Sequence, residues 1–242
     1  IVVGWNEGEF EMFGVEQREH DARYGYAQDW IDAIKKAWGP EEDFDFDGAQ
    51  LKLKKVRAKP KPYGGTRPLI MNAGASTTGR AFAIRNCDAF FTQADRTSME
   101  TTRQRVKAAK DEAAAQGREL DVYAVGVVTC RRTQKEAEDY YHYAIIEQAD
   151  WGSVDGMLRI KDITPEKLGE EEYRKKREYF ASRAIGGYPF VGSADHVAEQ
   201  LAMVSRGGIR GIAFSMINYL DELPFFRDEV LPRLQRMGVR EG

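Results

Sequence analysis

The chain has 242 residues, of which 42% are hydrophobic and 31% are charged, and its formal net charge is -3. This composition is typical of a folded globular protein, and it gives no general attraction to nucleic acid or to an anionic membrane surface. No apolar run approaches the ~18 residues of a membrane span, and no secretory leader pattern is present. Cys87 and Cys130 form no Cys-x-x-Cys pair, so we expect reduced thiols in a cytoplasmic protein.

The first residues predict a buried strand. Residues 1–4 are Ile-Val-Val-Gly, a β-branched apolar run typical of a parallel strand that is covered on both faces. The chain begins with Ile1 rather than Met, directly inside this predicted strand. We therefore expect either that an upstream segment was lost or that the chain is a partial gene product.

Helical and strand patterns alternate along the rest of the chain, which is typical of a parallel sheet with helical crossovers. The predicted elements are a helix over 24–38, a β-hairpin of 44–48 and 51–54, a strand at 68–72, a helix from 76 to about 84, a strand at 88–91, a helix over 97–116, a strand at 122–130, a helix opened by a capping box at 133–136, a charged helix from 164 to about 186, a helix over 192–206, a strand at 211–216 and a final amphipathic helix.

The number of predicted core strands decides between two α/β folds. There are five of them, at 1–4, 68–72, 88–91, 122–130 and 211–216. An open doubly wound sheet could use five strands, but no glycine-rich dinucleotide fingerprint follows any of them. A closed TIM-type (βα)8 barrel needs eight. We predict a single domain over 1–242, a TIM-type barrel that is incomplete at its N-terminus and has a small β-hairpin insertion.

Candidate site residues follow the predicted strands, because ligands of parallel barrels bind at the carboxyl ends of the strands. Glu9 lies in the polar segment after the first strand, which is either the rim of a pocket or a solvated loop. Gly74, Ser76 and Thr77 follow the second strand. Small residues let the backbone approach a ligand, and hydroxyls at a helix N-terminus suit a phosphate. Ordinary N-capping by Ser76 or Thr77 explains the same pattern.

Arg23 and Tyr24 begin the first long helix. An arginine beside aromatic rings is able to hold a phosphate, and the alternative is a surface arginine beside tyrosines that face the core. The three histidines are scattered without metal-ligand spacing, so we expect structural roles for them and no metal site: His20, His142 and His196. The sequence contains neither a nucleophile elbow nor a Walker loop, which favours an enzyme that leaves its chemistry to a cofactor.

Several of these segments, in this order, resemble the bacterial-luciferase-like flavin-dependent monooxygenases. The matching segments are 1–10, 23–24, 46–48, 72–79, 192–198 and 229–234. Within the family the likeness is greatest to the dimethyl sulfone monooxygenases, and pyrimidine and alkanesulfonate monooxygenases are also similar. The resemblance implies an eight-stranded parallel barrel, reduced FMN delivered by a separate flavin reductase, and O2 as co-substrate.

The resemblance also implies cofactor-binding residues. The positions that match FMN contacts of the pyrimidine monooxygenase branch are Glu9, Arg23, Tyr24 and Ser76. Thr77 matches a phosphate-contacting threonine of the luciferases, and Gly74 belongs to the same turn. The family usually has an asparagine directly before the Ile-Val-Val-Gly run, and this chain begins one residue later. The strands that contribute much of the flavin and substrate pocket are expected to precede it.

The function that we expect is an FMNH2-dependent monooxygenase, which uses O2 to oxygenate a small organosulfur compound such as a sulfone or an alkanesulfonate. The alternatives are a deazaflavin-dependent oxidoreductase, a pyrimidine monooxygenase, a non-catalytic flavin-binding protein and a gene fragment without independent function. The catalytic residues and the exact substrate stay open. Beyond a small-molecule substrate and a flavin reductase, we expect a homo-oligomer and no nucleic-acid or membrane partner.

Overall fold

The computed structural model describes residues 1–74, 76–95, 98–182 and 187–241. The chain divides into two compact units. Unit 1 consists of Ile1–Phe91 and Ala109–Asp121, and unit 2 consists of Thr92–Ala108 and Val122–Gly242. Each unit has its own core, and the prediction of a single domain stays a prediction.

The secondary structure alternates between helices and short strands. The helices are α1 (Glu7–Met12), α2 (His20–Trp38), α3 (Thr77–Asn86), α4 (Met99–Ala114), α5 (Gln134–His142), α6 (Trp151–Ile160), α7 (Pro165–Leu168), α8 (Glu170–Ala181), α9 (Ala194–Arg206), α10 (Tyr219–Phe225) and α11 (Leu231–Arg236). The strands are β1 (Asp43–Asp47), β2 (Lys52–Arg57), β3 (Met71–Asn72), β4 (Ala89–Thr92), β5 (Asp121–Arg131), β6 (Tyr188–Ser193) and β7 (Gly211–Met216). Within the described residues, no helix is long and apolar enough to cross a membrane.

Unit 1 contains the predicted hairpin and a pair of parallel strands. β1 and β2 pair antiparallel, with Asp43 opposite Arg57, which confirms the hairpin. β3 and β4 pair in parallel, with Met71 opposite Ala89. The core forms where the apolar face of α2 meets α3, β4 and the second half of α4, because apolar side chains recur three to four residues apart on these helices. Its most buried members are Ile31, Ala83, Ile84, Cys87, Ala109 and Ala113.

The prediction of a strand at residues 1–4 is wrong, because this segment does not form a regular backbone ladder with β3. The amino group of Ile1 donates to the Met71 carbonyl at 2.5 Å, so the segment does lie beside β3. The Ile1 carbonyl accepts from the side-chain amide of Asn72 at 3.1 Å instead of from a backbone N–H. Gly4 then leaves the extended region with a φ of 82°. These two features prevent a regular ladder from continuing along the segment.

Unit 2 is built around β5. β6 and β7 both pair with β5 in parallel, with Tyr188 opposite Gly126 and Gly211 opposite Tyr123. The sequence did not predict β6, because Pro189 lacks an N–H donor and glycine at 187 and 192 weakens the strand pattern. Pairing with β5 therefore decides its conformation. The described residues contain five parallel strands, β3 to β7, which agrees with the predicted number although one predicted strand is replaced by another.

The core of unit 2 lies between β5, β6 and the helices α9 to α11. α9 buries one face, and Val197, Ala198 and Val204 on it are fully covered. Phe226 and Val230, in a π-helical turn between α10 and α11, pack into the same core. The capping box at Thr133 and Glu136 is present as predicted. The predicted helix start at Thr97 and the predicted helix end at Gly186 lie outside the described residues.

Candidate functional site

The turn after β3 is held in place by a buried asparagine. The side chain of Asn72 is 2% exposed, and its Oδ1 accepts from the Gly74 N–H at 2.8 Å. Its Nδ2 donates to the Ile1 carbonyl. Asn72 thus fixes both the exit of the chain from β3 and the first residue of the neighbouring segment. Our sequence reasoning did not select this residue, although a polar side chain at the end of an apolar run was a usable signal.

Two glycines let Tyr24 of α2 pack into this turn. A Cβ atom built on either Gly74 or Gly79 would collide with the Tyr24 hydroxyl. The glycine backbones also approach each other, so that a Cβ on Gly74 would lie 2.8 Å from the Gly79 Cα. Larger residues do not fit at these two positions, because a Cβ atom on either glycine would meet atoms that already fill the space. Within the described part of the chain, the Tyr24 hydroxyl has no hydrogen-bond partner.

Ser76 caps α3, as the capping interpretation predicted. Its Oγ accepts from the Gly79 N–H at 3.0 Å, and its hydroxyl hydrogen stays available to a ligand. Thr77 is the first residue of α3 and is exposed. The first backbone N–H groups of a helix have no partner inside the helix, and they favour an anion. Capping by Ser76 and anion binding beside it are therefore compatible.

An acidic side chain lies close to the start of α3. Thr78 donates its hydroxyl to Asp21 at 2.9 Å, and His20 Nδ1 lies 2.8 Å from the same carboxylate oxygen. These hydrogen bonds, from His20 first and Thr78 second, hold the pKa of Asp21 below its usual value. The His20 ring is 5.3 Å from the Tyr24 ring. A histidine for which we expected a structural role thus lies beside the predicted site, together with a charged carboxylate.

Arg23 borders a cavity of about 560 Å³ in unit 1. One of its terminal nitrogens donates to the Arg18 carbonyl at 2.5 Å. Its Nε is buried and has no hydrogen-bond partner among the residues that the structure describes. An unpaired buried donor costs about 1–3 kcal/mol, so an acceptor from outside the chain would relieve that cost. The apolar wall of the cavity includes Val2, Val3, Phe10, Val15, Ala27 and Trp30.

The hydrogen bond that Glu9 forms with Asn6 stays within its own segment. The segment around it is the short helix α1 rather than a loop, and Asn6 caps that helix by accepting from the Gly8 N–H at 3.2 Å. The exposed Glu9 carboxylate accepts from the Asn6 amide at 3.3 Å. Among the described residues it forms no hydrogen bond or ion pair with the turn after β3.

The predicted residues that the structure brings into one region are Tyr24, Gly74, Ser76 and Thr77, on α2, at the end of β3 and at the start of α3. Arg23 borders instead the cavity whose wall includes Val2, Val3 and Phe10. Nowhere in the described ranges do three or more His, Cys, Asp or Glu side chains form a group that could hold a metal ion.

Comparison with known proteins gives consistent matches along the chain. Residues 1–211 match the family described as luciferase-like monooxygenase. The FMNH2-dependent dimethylsulfone monooxygenase of Pseudomonas fluorescens (strain Pf0-1) is 28% identical over 99% of this chain and 65% of its own length. The sulfoquinovose monooxygenase of Agrobacterium fabrum is 29% identical over 90% of this chain and 60% of its own length.

A solved structure of riboflavin lyase, with modified FMN and its substrate riboflavin, superposes on 98% of this chain and 62% of its own chain, with a TM-score of 0.80 and 20% identity. This likeness supports the predicted fold class. The chain spans 65% of the length of the dimethylsulfone monooxygenase that it matches. The match over residues 1–211 shows that the chain belongs to the luciferase-like monooxygenase family.

Proposed function

We propose that this chain is part of an FMNH2-dependent monooxygenase that uses O2 to oxygenate a small organosulfur compound. Family membership and the names of relatives that act on dimethylsulfone and sulfoquinovose support this proposal. The observation that carries it is the packing of Tyr24 against Gly74 and Gly79. In this packing the Tyr24 hydroxyl, which has no hydrogen-bond partner within the described residues, lies between the end of β3 and the start of α3.

These residues fit the phosphate end of FMN. The first turn of α3 offers backbone N–H groups and the Ser76 hydroxyl, and Gly74 and Gly79 let the Tyr24 hydroxyl pack beside this turn. The Tyr24 hydroxyl is available as a further donor. The unpaired Nε of Arg23 offers a charged donor from the start of α2. Donors outnumber acceptors in this set, as a phosphate requires, and Asp21 is the opposing charge.

Bound FMNH2 supplies the electrons with which one oxygen atom of O2 enters the substrate and the other leaves as water. The residues of this chain bind and orient the flavin, and apolar side chains around the site exclude water. Because the proposed reaction consumes reduced flavin, we also propose a separate flavin reductase as its supplier. No side chain of this chain is assigned as a proton donor or acceptor.

Flavin binding to the full chain tests the proposal. We expect FMN to bind more tightly than riboflavin, which lacks the phosphate, in a fluorescence titration. Arg23→Gln should lower FMN affinity about tenfold and riboflavin affinity much less, because the lost interaction is charge-assisted. The matched control is Arg23→Lys, which keeps the charge. Its FMN affinity should lie between those of the unmodified chain and of Arg23→Gln.

Turnover is the second part of the test. FMNH2 and 18O2 are supplied with dimethyl sulfone, an alkanesulfonate or a pyrimidine, and mass spectrometry follows label in the product. We expect label in the product formed from a sulfur compound and none in a product of the pyrimidine. FMN binding without any labelled product would instead support a non-catalytic flavin-binding protein. Binding of a deazaflavin in place of FMN would contradict the proposal.

A further inference from the structure

A second polar cavity lies in unit 2, at the carboxyl end of β5. Its volume is about 440 Å³, and its wall is formed by the last residues of β5 and by residues that follow β7. In parallel α/β folds this end of the strands is where ligands bind. The lining residues that bear on its chemistry are Cys130, Arg131, Tyr140, Asn218, Glu222 and Phe225.

A buried ion pair forms the wall of this cavity. A terminal nitrogen of Arg131 lies 2.6 Å from Oε1 of Glu222, whose side chain is only 4% exposed. The other carboxylate oxygen of Glu222 accepts from the Asn218 N–H at 2.8 Å. Glu222 is therefore held from two directions, and it fixes the position of the Arg131 guanidinium.

The charges that line the cavity cancel. Two guanidinium groups, of Arg131 and Arg132, face two carboxylates, of Asp221 and Glu222. Burial raises the pKa of the Cys130 thiol to about 11, so this group adds no charge at neutral pH. An anion that enters a cavity without net charge loses hydration and gains no net electrostatic attraction in return. A neutral ligand avoids this cost.

Within the described residues the cavity contains hydrogen-bond donors that are not fully used, beside the Glu222 Oε1, which contacts Arg131 but accepts no hydrogen bond of good geometry. The Arg131 guanidinium lies 4.0 Å from the centre of the Tyr140 ring and donates to the Cys130 carbonyl at 2.9 Å. Together with the contact to Glu222, this leaves part of its five N–H groups unused. In the described part of the chain the Tyr140 hydroxyl has no hydrogen-bond partner. The rings of Tyr140 and Phe225 provide apolar contact surface beside these donors.

We propose that this cavity binds a neutral sulfonyl compound, with Arg131 and Tyr140 donating to the sulfonyl oxygens and the aromatic rings contacting its carbon groups. The choice of an organosulfur ligand rests on the proposed function. The preference for a neutral sulfone over a sulfonate anion comes from the charge balance of the cavity alone.

Two ligands with four carbon atoms each distinguish a preference for a neutral sulfone from a preference for a sulfonate anion. Sulfolane is a neutral sulfone, and 1-butanesulfonate carries a full negative charge. Ligand-observed NMR titration of the full chain without flavin should show tighter binding of sulfolane. Glu222→Gln leaves the charge of Arg131 unbalanced, so 1-butanesulfonate should gain about tenfold in affinity while sulfolane changes by less than about threefold.

A second variant leaves the buried ion pair intact. Arg132→Gln gives the cavity a net negative charge and should weaken 1-butanesulfonate severalfold without changing sulfolane. Arg227→Gln removes the same charge from an exposed arginine paired with Asp228, and should leave the ratio of the two affinities unchanged. The proposal is overturned if the unmodified chain binds neither ligand, if it prefers the sulfonate, or if neither cavity variant alters the ratio. Retained FMN binding in any of these cases leaves the flavin proposal standing.

Discussion

The two polar regions that follow strands in this chain are built in opposite ways. Gly74 and Gly79, the Ser76 hydroxyl and the first backbone N–H groups of α3 lie at the turn after β3 in unit 1, and the nearby carboxylate of Asp21 is exposed. The cavity after β5 in unit 2 is formed around the buried pair of Arg131 and Glu222. The first arrangement leaves donors free for an anion, whereas the second neutralises its own cation. Arginines near two strand ends therefore do not imply two anion sites.

The largest effect is expected from a substitution that breaks the buried pair of Arg131 and Glu222. Arg131→Ala leaves the Glu222 carboxylate buried without its partner, and it should lower the free energy of unfolding by about 3 kcal/mol. Urea denaturation at neutral pH measures this change. The matched control is Arg132→Ala, which changes the next residue, whose side chain is exposed. It should change the free energy of unfolding by less than about 0.5 kcal/mol.

A double variant sharpens the interpretation. Combining Arg131→Ala with Glu222→Gln removes both charges, so it should recover part of the lost stability. Equal losses for Arg131→Ala and Arg132→Ala would show that the pair does not differ energetically from a surface contact. The contrast between the two regions would then lose its basis.

The next effect concerns the crowded turn in unit 1. Gly74→Ala places a methyl group where the Tyr24 hydroxyl lies, so we expect a loss of about 1–3 kcal/mol in stability and weaker FMN binding. Tyr24→Phe removes that hydroxyl, but the added Cβ would still lie 2.8 Å from the Gly79 Cα, so the double variant should recover only part of the lost stability and none of the FMN affinity. Thermal unfolding and flavin titration measure the two effects separately.

Gly156→Ala is the matched control, because a Cβ at this position in α6 meets only the tip of Arg159 at 3.9 Å. It should stabilise the protein by about 0.5–1 kcal/mol, since alanine favours a helix over glycine. If Gly74→Ala behaves like this control, the turn is not closely packed and the proposed flavin contact loses its main support.

The contrast between the regions also explains what the sequence could reveal. Gly74, Ser76 and Thr77 are neighbours in the chain, and a strand followed by small residues and a helix is a local pattern, so these residues were predictable. The pairing of Arg131 with Glu222 joins two distant segments, and neither residue has a distinctive local pattern. The strand β6 was missed for a similar reason, because its conformation depends on pairing with β5 more than on Pro189 and its neighbours.

The fold class was predictable because hydrophobic periodicity is strong in α2, β5 and α9. The position of Glu9 was not, since α1 replaces the loop that the polar sequence predicted. Asn72 was predictable in part. Its place at the end of β3 was correctly predicted, but its two hydrogen bonds depend on the turn geometry and on the position of Ile1.

The smallest expected effect tests the opposing charge of Asp21 near the turn. Asp21→Asn keeps an oxygen that accepts from Thr78 and removes the negative charge, so FMN affinity should rise about two- to threefold at low salt. The gain should disappear at about 1 M salt, where exposed charges are screened. Riboflavin is the control ligand and should bind equally to both proteins.

The pKa of Asp21 determines how this effect depends on pH. Hydrogen bonds from His20 and Thr78 lower that pKa, so the carboxylate stays charged in the folded protein from neutral pH down through the usual titration range of aspartate. The interactions that lower the pKa favour folding above that range, and their contribution is lost only as the pH falls through the lowered value. The difference in FMN affinity between the two proteins should therefore not depend on ionisation of Asp21 between about pH 5 and 8. A gain that vanished on acidification within this window would place the responsible ionisation on another group, such as the FMN phosphate, whose second pKa is about 6.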